Sequence, residues 1–489
     1  MVLRRELGSA FGVLLASVSS LACTDDGPSG EAWETVASST ASSSDDGSST
    51  EAADGDETTG ETTEGPLDDT GSTGDPMEPE PEPEPDGPVR YPAGQTHSPI
   101  TPYVANHLHD IVEQGDGFDD VFMKIGASST VSSNTLHCFV DDPIELGAND
   151  HLQSSLDFFL AGDAAGTTPF DRETEAARVG HHAGWAISGD PSPIEIERTA
   201  ISPALALVHW GTNDMGWGQT YGDALNYFHD NMTVMLDGLI EQGVVPIVFG
   251  ITRRGDLSSA QRWVQAWNTA LRGIAQSRQV PFVDMYHAID PLPGNGLAGD
   301  GLHLEAYPGG ACVLDEMGLQ HGYNIRNLIA LEVLDRTVQV LIDDEPGIDP
   351  PMEPLAGTGT SRDPWVIESL PFNDVRSTAT QGESMVDVYE PCDDADESGP
   401  ELWYRFEVEK TTAIRALVLD EDGTDIDLHL VDDSATGQGC IARGNHRIET
   451  TVEPGSYHFA LDTWVDDGVP LTGEFVFVVV ECDPGDPAC

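Results

Sequence analysis

Basic residues are scarce in this chain of 489: 21 Lys+Arg stand against 86 Asp+Glu, for a formal net charge of −65. A surface that neutralises phosphates must be basic, so nucleic acid is excluded as a partner. Between Cys23 and Pro88 there is no Lys or Arg at all, which places part of the acidity outside any core. Long hydrophobic runs are also missing. The stretch from Leu7 to Ala22 is too short and too weakly apolar to span a membrane comfortably. No cysteine spacing has the pattern of a zinc site, and no His-Glu-x-x-His motif accompanies His107 and His109 or His181 and His182. Those histidines therefore read as structural or surface residues, and no metal or cofactor is implied.

What is present begins with an export signal. Arg4 and Arg5 precede the apolar stretch, which ends Ser20-Leu21-Ala22-Cys23 and resembles a bacterial lipoprotein signal. The resemblance implies that residues 1–23 are a signal and that Cys23 is acylated and becomes the new N-terminus. Several acyl chains would then anchor the protein to a membrane of the cell envelope. Plain secretion with a spare Cys23 is the other reading. Setting Cys23 aside leaves six of the seven cysteines, and they fall in pairs by region. An oxidising compartment permits the disulfides Cys138–Cys312, Cys392–Cys440 and Cys482–Cys489.

Residues 24–90 are mostly Ser, Thr, Gly, Asp and Glu, ending near the repeat Glu78-Pro79-Glu80-Pro81-Glu82-Pro83-Glu84-Pro85. Such a segment buries too little apolar surface to offset its ordering entropy, so a disordered, partly extended tether is expected. Residues 91–345 change character. Apolar runs at 121–125, 204–208, 244–249 and 281–283 alternate with helical periods over 221–242, 258–277 and 322–341. Strands alternating with helices predict an α/β domain with a parallel sheet covered on both faces. A Pro/Gly-rich linker over 346–357 follows. Residues 358–489 show short apolar runs separated by turn residues, the pattern of an antiparallel β-sandwich.

The first run ends in Gly126-Ala127-Ser128-Ser129, a small-residue turn where a parallel sheet exposes a hydroxyl at its carboxyl edge. Serine needs a base to take its proton, a group to orient that base, and fixed donors for the oxyanion. Asp300-Gly301-Leu302-His303 places a carboxylate and an imidazole three apart before the last helix. Gly211-Thr212-Asn213-Asp214 follows the second run and offers a side-chain amide. Gly180-His181-His182-Ala183-Gly184 offers a backbone N–H. Each block alone has a plain structural reading, as a turn, a cap or a packed loop.

Their order carries more weight than any one of them. Gly-x-Ser, a glycine turn, Gly-x-Asn-Asp and Asp-x-x-His together resemble the SGNH (GDSL-like) hydrolase family over about 119–341. The resemblance implies a three-layer flavodoxin-like fold and ester hydrolysis without a metal. Ser128 would be the nucleophile, His303 the base and Asp300 its orienter. Ser128 N–H, Gly184 and Asn213 would form the oxyanion hole, with Gly180 as the rival glycine. Ala127 stands where the family usually has Asp.

Residues 358–482 resemble the pre-peptidase C-terminal (PPC-like) β-sandwich through Glu401-Leu402-Trp403-Tyr404-Arg405-Phe406, Asp425-Ile426-Asp427 and Pro454-Gly455-Ser456-Tyr457. Asp420, Asp422, Asp425 and Asp427 form an acidic hairpin with oxygen ligands of a kind suited to calcium, or a hairpin without metal. The expectation for the whole chain is a serine esterase acting on acyl esters, O-acetyl groups of a polysaccharide or lipid acyl esters. A non-catalytic carbohydrate-binding lipoprotein on a decayed hydrolase fold is the alternative.

Overall fold

The computed structural model of the chain describes residues 87–141 and 143–489. Cys23 and the expected tether lie outside the described residues up to position 86.

The α/β region is built on four parallel strands: β1 (Phe118–Gly126), β2 (Pro203–His209), β3 (Val245–Phe249) and β4 (Phe282–Val283), adjacent in that order. β2 and β3 are buried along their whole length, as strands covered on both faces must be. One position completes the topology. Ala177 bridges β1 in parallel at Gly126 on the side away from β2, with Arg178 N–H donating to Gly126 O. Counting that bridge as a strand gives the spatial order 2-1-3-4-5 of the flavodoxin-like fold. Its topological switch falls at the carboxyl end of β1.

The helices bearing on the site are α1 (Pro102–Val112), α2 (Ser128–Val131), α3 (Gln153–Ala161), α4 (Ala183–Ala186), α5 (Pro193–Ile201), α6 (Tyr221–Glu241), α7 (Ser258–Ser277) and α8 (Gly322–Leu341). Seven of them form two packed sets, α1, α3 and α8 on one side and α4 to α7 on the other, making three layers, while α2 sits at the end of β1. α6 starts at a capping box in which Thr220 and Asp223 satisfy each other's backbone N–H, and it buries Leu225, Phe228, Met232, Met235, Leu236 and Leu239. Those are the six apolar positions its sequence period marks.

α7 departs from its pattern. Besides the expected Trp263, Val264, Trp267, Leu271 and Ile274, it buries Asn268, Arg272, Gly273 and Gln276. The reason is the second domain. That domain is a sandwich of a five-stranded sheet, β10-β9-β12-β7-β5, on a four-stranded sheet, β11-β8-β15-β6. In chain order the strands are β5 (Trp365–Ile367), β6 (Phe372–Ser377), β7 (Glu401–Val408), β8 (Thr412–Asp420), β9 (Ile426–Val431), β10 (Cys440–Gly444), β11 (Arg447–Val452) and β12 (Gly455–Thr463). A short ribbon of β13 (Val465–Asp466) and β14 (Val469–Pro470) precedes β15 (Glu474–Glu481).

The four-stranded sheet turns its outer face onto α7, so Leu417, Leu419, Val476, Val478 and Val480 join the α/β core. β6 escaped the sequence pattern because Asn373 and Asp374 look like turn residues. They are buried because partners meet them: Arg272 Nε donates to Asn373 Oδ1 at 2.7 Å, and Tyr404 Oη donates to Asp374 Oδ2 at 3.0 Å. β10 was likewise missed. Arg278 clamps the same seam, reaching Asp237 on α6 at 2.7 Å, Glu421 at 2.8 Å and Glu474 at 2.6 Å. Disulfides join Cys138 to Cys312, Cys392 to Cys440 and Cys482 to Cys489. No described helix is long and apolar enough to cross a membrane.

The seam makes Gly273 a test of domain packing, since a Cβ there would overlap Val476 Cγ1. Gly273→Leu should destabilise the folded chain by about 1–3 kcal/mol, the usual cost of overpacking, and lower the midpoint of thermal unfolding followed by calorimetry.

Candidate active site

β1 ends where it has no room for a side chain. A Cβ on Gly126 would overlap Thr130 Oγ1 and lie 2.7 Å from His209 O, so glycine is required for β1 and β2 to meet there. The chain then turns at Ala127 into α2, which opens on Ser128. As the first residue of a helical turn, Ser128 has an N–H with no intrahelical acceptor.

His303 comes from the loop before α8. Its Nε2 lies 2.9 Å from Ser128 Oγ, and its Nδ1 lies 2.7 Å from Asp300 Oδ2. Asp300 Oδ1 accepts the N–H groups of Leu302 and His303, each at 3.0 Å. The bond to His303, followed by those two backbone bonds, holds the Asp300 carboxyl down to about 2. An ionised carboxylate only accepts, so His303 Nδ1 carries the proton and Nε2 is left to accept from Ser128. Ser128 thus stands in one hydrogen-bonding sequence with His303 and Asp300, residues that lie 175 and 172 positions after it in the chain.

Asn213 lines the same pocket, together with Ala127, Ser129, Trp210, Thr252, Met285 and Leu304. Its Nδ2 donates one hydrogen to His181 O at 2.9 Å, which orients the amide and leaves its second hydrogen available. Asp214 pins this loop from beneath. Its carboxylate accepts Ala183 N–H at 2.7 Å and Gly211 N–H at 2.9 Å, and burial pushes its pKa up to about 6 despite those bonds. Gly211 has φ +121° and a Cβ there would meet Ile251 Cγ2 at 2.8 Å, so this turn also needs glycine.

Residues 160–307 match the model of the GDSL-like Lipase/Acylhydrolase family. Over those residues the α/β region is a GDSL-like acylhydrolase domain. The matched span contains Asn213, Asp300 and His303 and begins after Ser128. The chain is an ester hydrolase by class. Among solved structures it is similar to a GDSL-like lipase from Bacteroides thetaiotaomicron, at 14% identity over 48% of this chain and 98% of that one, with a TM-score of 0.29. A two-domain esterase (CEX) active on acetylated mannans is 12% identical over 79% of this chain and 96% of that one, with a TM-score of 0.28. The pre-peptidase C-terminal domain of a Bacillus anthracis collagenase is 22% identical over 22% of this chain and 89% of that one, with a TM-score of 0.16. No curated protein matches the chain.

Within the GDSL-like domain the glycine donor is where expectation and structure part. Gly184 sits inside α4 with its α-carbon facing Asn231 of α6, and Gly180 is exposed with open space around it. Neither lines the pocket around Ser128. The Asp214–Ala183 bond ties the start of α4 to the turn after β2, and α4 packs on α6, which accounts for where Gly184 lies.

Of the three tryptophans near the site, Trp210 is buried core, Trp185 is half-buried, and Trp217 is 59% exposed with the His182 ring 3.9 Å away. His107 and His109 each reach a backbone carbonyl, that of Arg278 and that of Val340. Among the described residues no group of three His, Cys, Asp or Glu is arranged to hold a metal ion, the acidic hairpin over 420–427 included. Ala127 packs its methyl against the core. Sequence reasoning missed Arg326, which α8 buries beneath the turn. Its Nη1 donates to Ser129 O at 2.9 Å, so the Ser128 turn is held from below without a carboxylate at position 127. Its only signal was a charge among the apolar positions of α8.

Because its carboxyl is held down to about 2, Asp300 orients His303 as a carboxylate throughout the neutral range. Asp300→Asn should lower kcat for p-nitrophenyl acetate by about 100-fold or more, by loosening the imidazole tautomer, with KM little changed.

Proposed function

We propose that the chain is a serine esterase in which Ser128 is the nucleophile, His303 the base and Asp300 its orienter. The observation that carries this reading is the continuous chain of contacts from Ser128 Oγ through the His303 ring to Asp300. In the first step Ser128 Oγ bonds to the ester carbonyl carbon, its proton passes to His303 Nε2, and the carbonyl π pair moves onto oxygen. Ser128 N–H and the free Asn213 hydrogen stabilise that oxyanion. Collapse expels the alcohol, which takes the proton from His303. Water then repeats the sequence on the acyl-enzyme and releases the acid.

The reading extends to the substrate. The pocket is small and its apolar wall is short, formed by Trp210, Met285, Leu302 and Leu304. That suits an acetyl group better than a long acyl chain. His303 is 39% and Asp300 52% exposed at the side chain, so the site opens broadly enough for a polymer to lie across it. The exposed Trp217 face provides a stacking platform for a sugar ring. O-acetyl groups on polysaccharide are therefore the substrate class we favour, with lipid esters second. Acylation of Cys23 would place this chemistry at the cell envelope.

Ser128→Ala should abolish nearly all p-nitrophenyl acetate hydrolysis and all labelling by a fluorophosphonate; undiminished turnover in that variant would refute the assignment. Trp217→Ala should raise KM for an acetylated polysaccharide about 2- to 10-fold, as expected for loss of an aromatic contact, with little change on p-nitrophenyl acetate. An equal effect on both substrates would remove Trp217 from sugar binding.

A further inference from the structure

Arg326 does more than hold the turn. It is buried, with no carboxylate among the described residues paired to it, and its Nη2 donates to Thr130 Oγ1 at 3.3 Å and to His209 Nδ1 at 3.2 Å. A guanidinium has only donors, so His209 Nδ1 must accept and carry no proton. Burial first, and the Arg326 charge second, push the His209 pKa well below the ordinary histidine value. The ring is therefore neutral, and its single proton sits on Nε2. That Nε2–H is buried and meets no acceptor among the described residues. Native interiors rarely leave a donor in that condition unless it has a use.

Its position supplies one. His209 is the last residue of β2, opposite Gly126 in the parallel register, and four residues before Asn213. It lines the pocket with Ser128, Asn213 and His303, where Gly184 and Gly180 do not. We propose that His209 is a further catalytic residue whose fixed Nε2–H donates to the acyl oxygen in the pocket and stabilises it as an oxyanion. Arg326 is the positioning residue that fixes the tautomer. His209 gives up no proton in this role: the serine proton still goes to His303, and the donor only hydrogen-bonds the oxygen that receives the carbonyl π pair. A neutral imidazole suits the task, because its Nε2–H is a donor while its Nδ1 is already engaged by Arg326. The inference rests on Ser128 being the nucleophile.

Imidazole ¹⁵N spectra of the full chain test it, taken before and after a fluorophosphonate reacts at Ser128 and leaves a tetrahedral phosphoryl group there. The His209 signals, assigned from a position-209 variant, should show the proton on Nε2 in the free chain, and that proton should move downfield on phosphonylation. An unmoved signal on a labelled chain overturns the role of His209 and leaves Ser128 standing. Failure of labelling overturns the nucleophile and the inference with it. In kinetics, His209→Phe should lower kcat for p-nitrophenyl acetate about 100- to 1,000-fold at nearly constant KM, the usual loss for one oxyanion donor. His209→Gln, which keeps a donor, should recover part of that loss. Equal losses in the two variants would mean the ring matters for packing alone.

Discussion

The parallel register that sets Gly126 opposite His209 is the constraint from which the site hangs. Two strands can approach this closely at their carboxyl ends only because position 126 has no side chain to collide with Thr130 and the His209 carbonyl. Ser128 emerges two residues past one strand and Asn213 four past the other. Ser128 and Asn213 are thus neighbours through sheet geometry, before any contact between their side chains. Ala177 bridges β1 on its far side, and the resulting change in strand order opens the crevice that the pocket occupies.

Around that register the supports are mostly buried polar groups with defined partners. Asp214 gathers the Gly211 and Ala183 amides, and Arg326 gathers Ser129 O, Thr130 and His209. Groups of this kind are costly to bury and strongly directional, so they hold loops in one conformation where apolar packing would tolerate several. They also suggest why a turn with Ala127 keeps its shape. The charge that steadies it comes from Arg326 on α8, which donates to Ser129 O.

Much of the fold was legible in the chain because burial imposes periodicity. The apolar positions of α6 and the runs of β1, β2 and β3 are set by which side chains must leave water, and the pattern survives without knowledge of the partner surface. β6 and the polar side of α7 were illegible for the complementary reason. Asn373, Arg272 and Gln276 look solvent-facing until the other domain supplies their hydrogen bonds, and Asp374 until Tyr404 of the facing sheet reaches it. The β-sandwich is consequently a structural part of the hydrolase core, since one of its sheets completes the covering of α7.

The candidate site divides along the same line. Ser128, Asn213, Asp300 and His303 could be singled out by residue type and order alone, because the chemistry of acyl transfer demands a nucleophile, a base, an orienter and donors. Gly184 could be named for the same reason and still fall outside the pocket, since the direction of a backbone N–H is set by how a loop is pinned. His209 and Arg326 could not be found that way. One is a histidine at the end of an apolar run and the other an arginine in an apolar helix, and nothing local distinguishes them. The chain by itself determined its layers, its two-domain plan and an ordered set of candidate residues, all of which follow from short-range periodicity and residue chemistry. Only the tertiary structure decided which nitrogen of His209 carries a proton and which glycines face the pocket, because both depend on contacts between residues more than a hundred positions apart or on loops fixed from another layer.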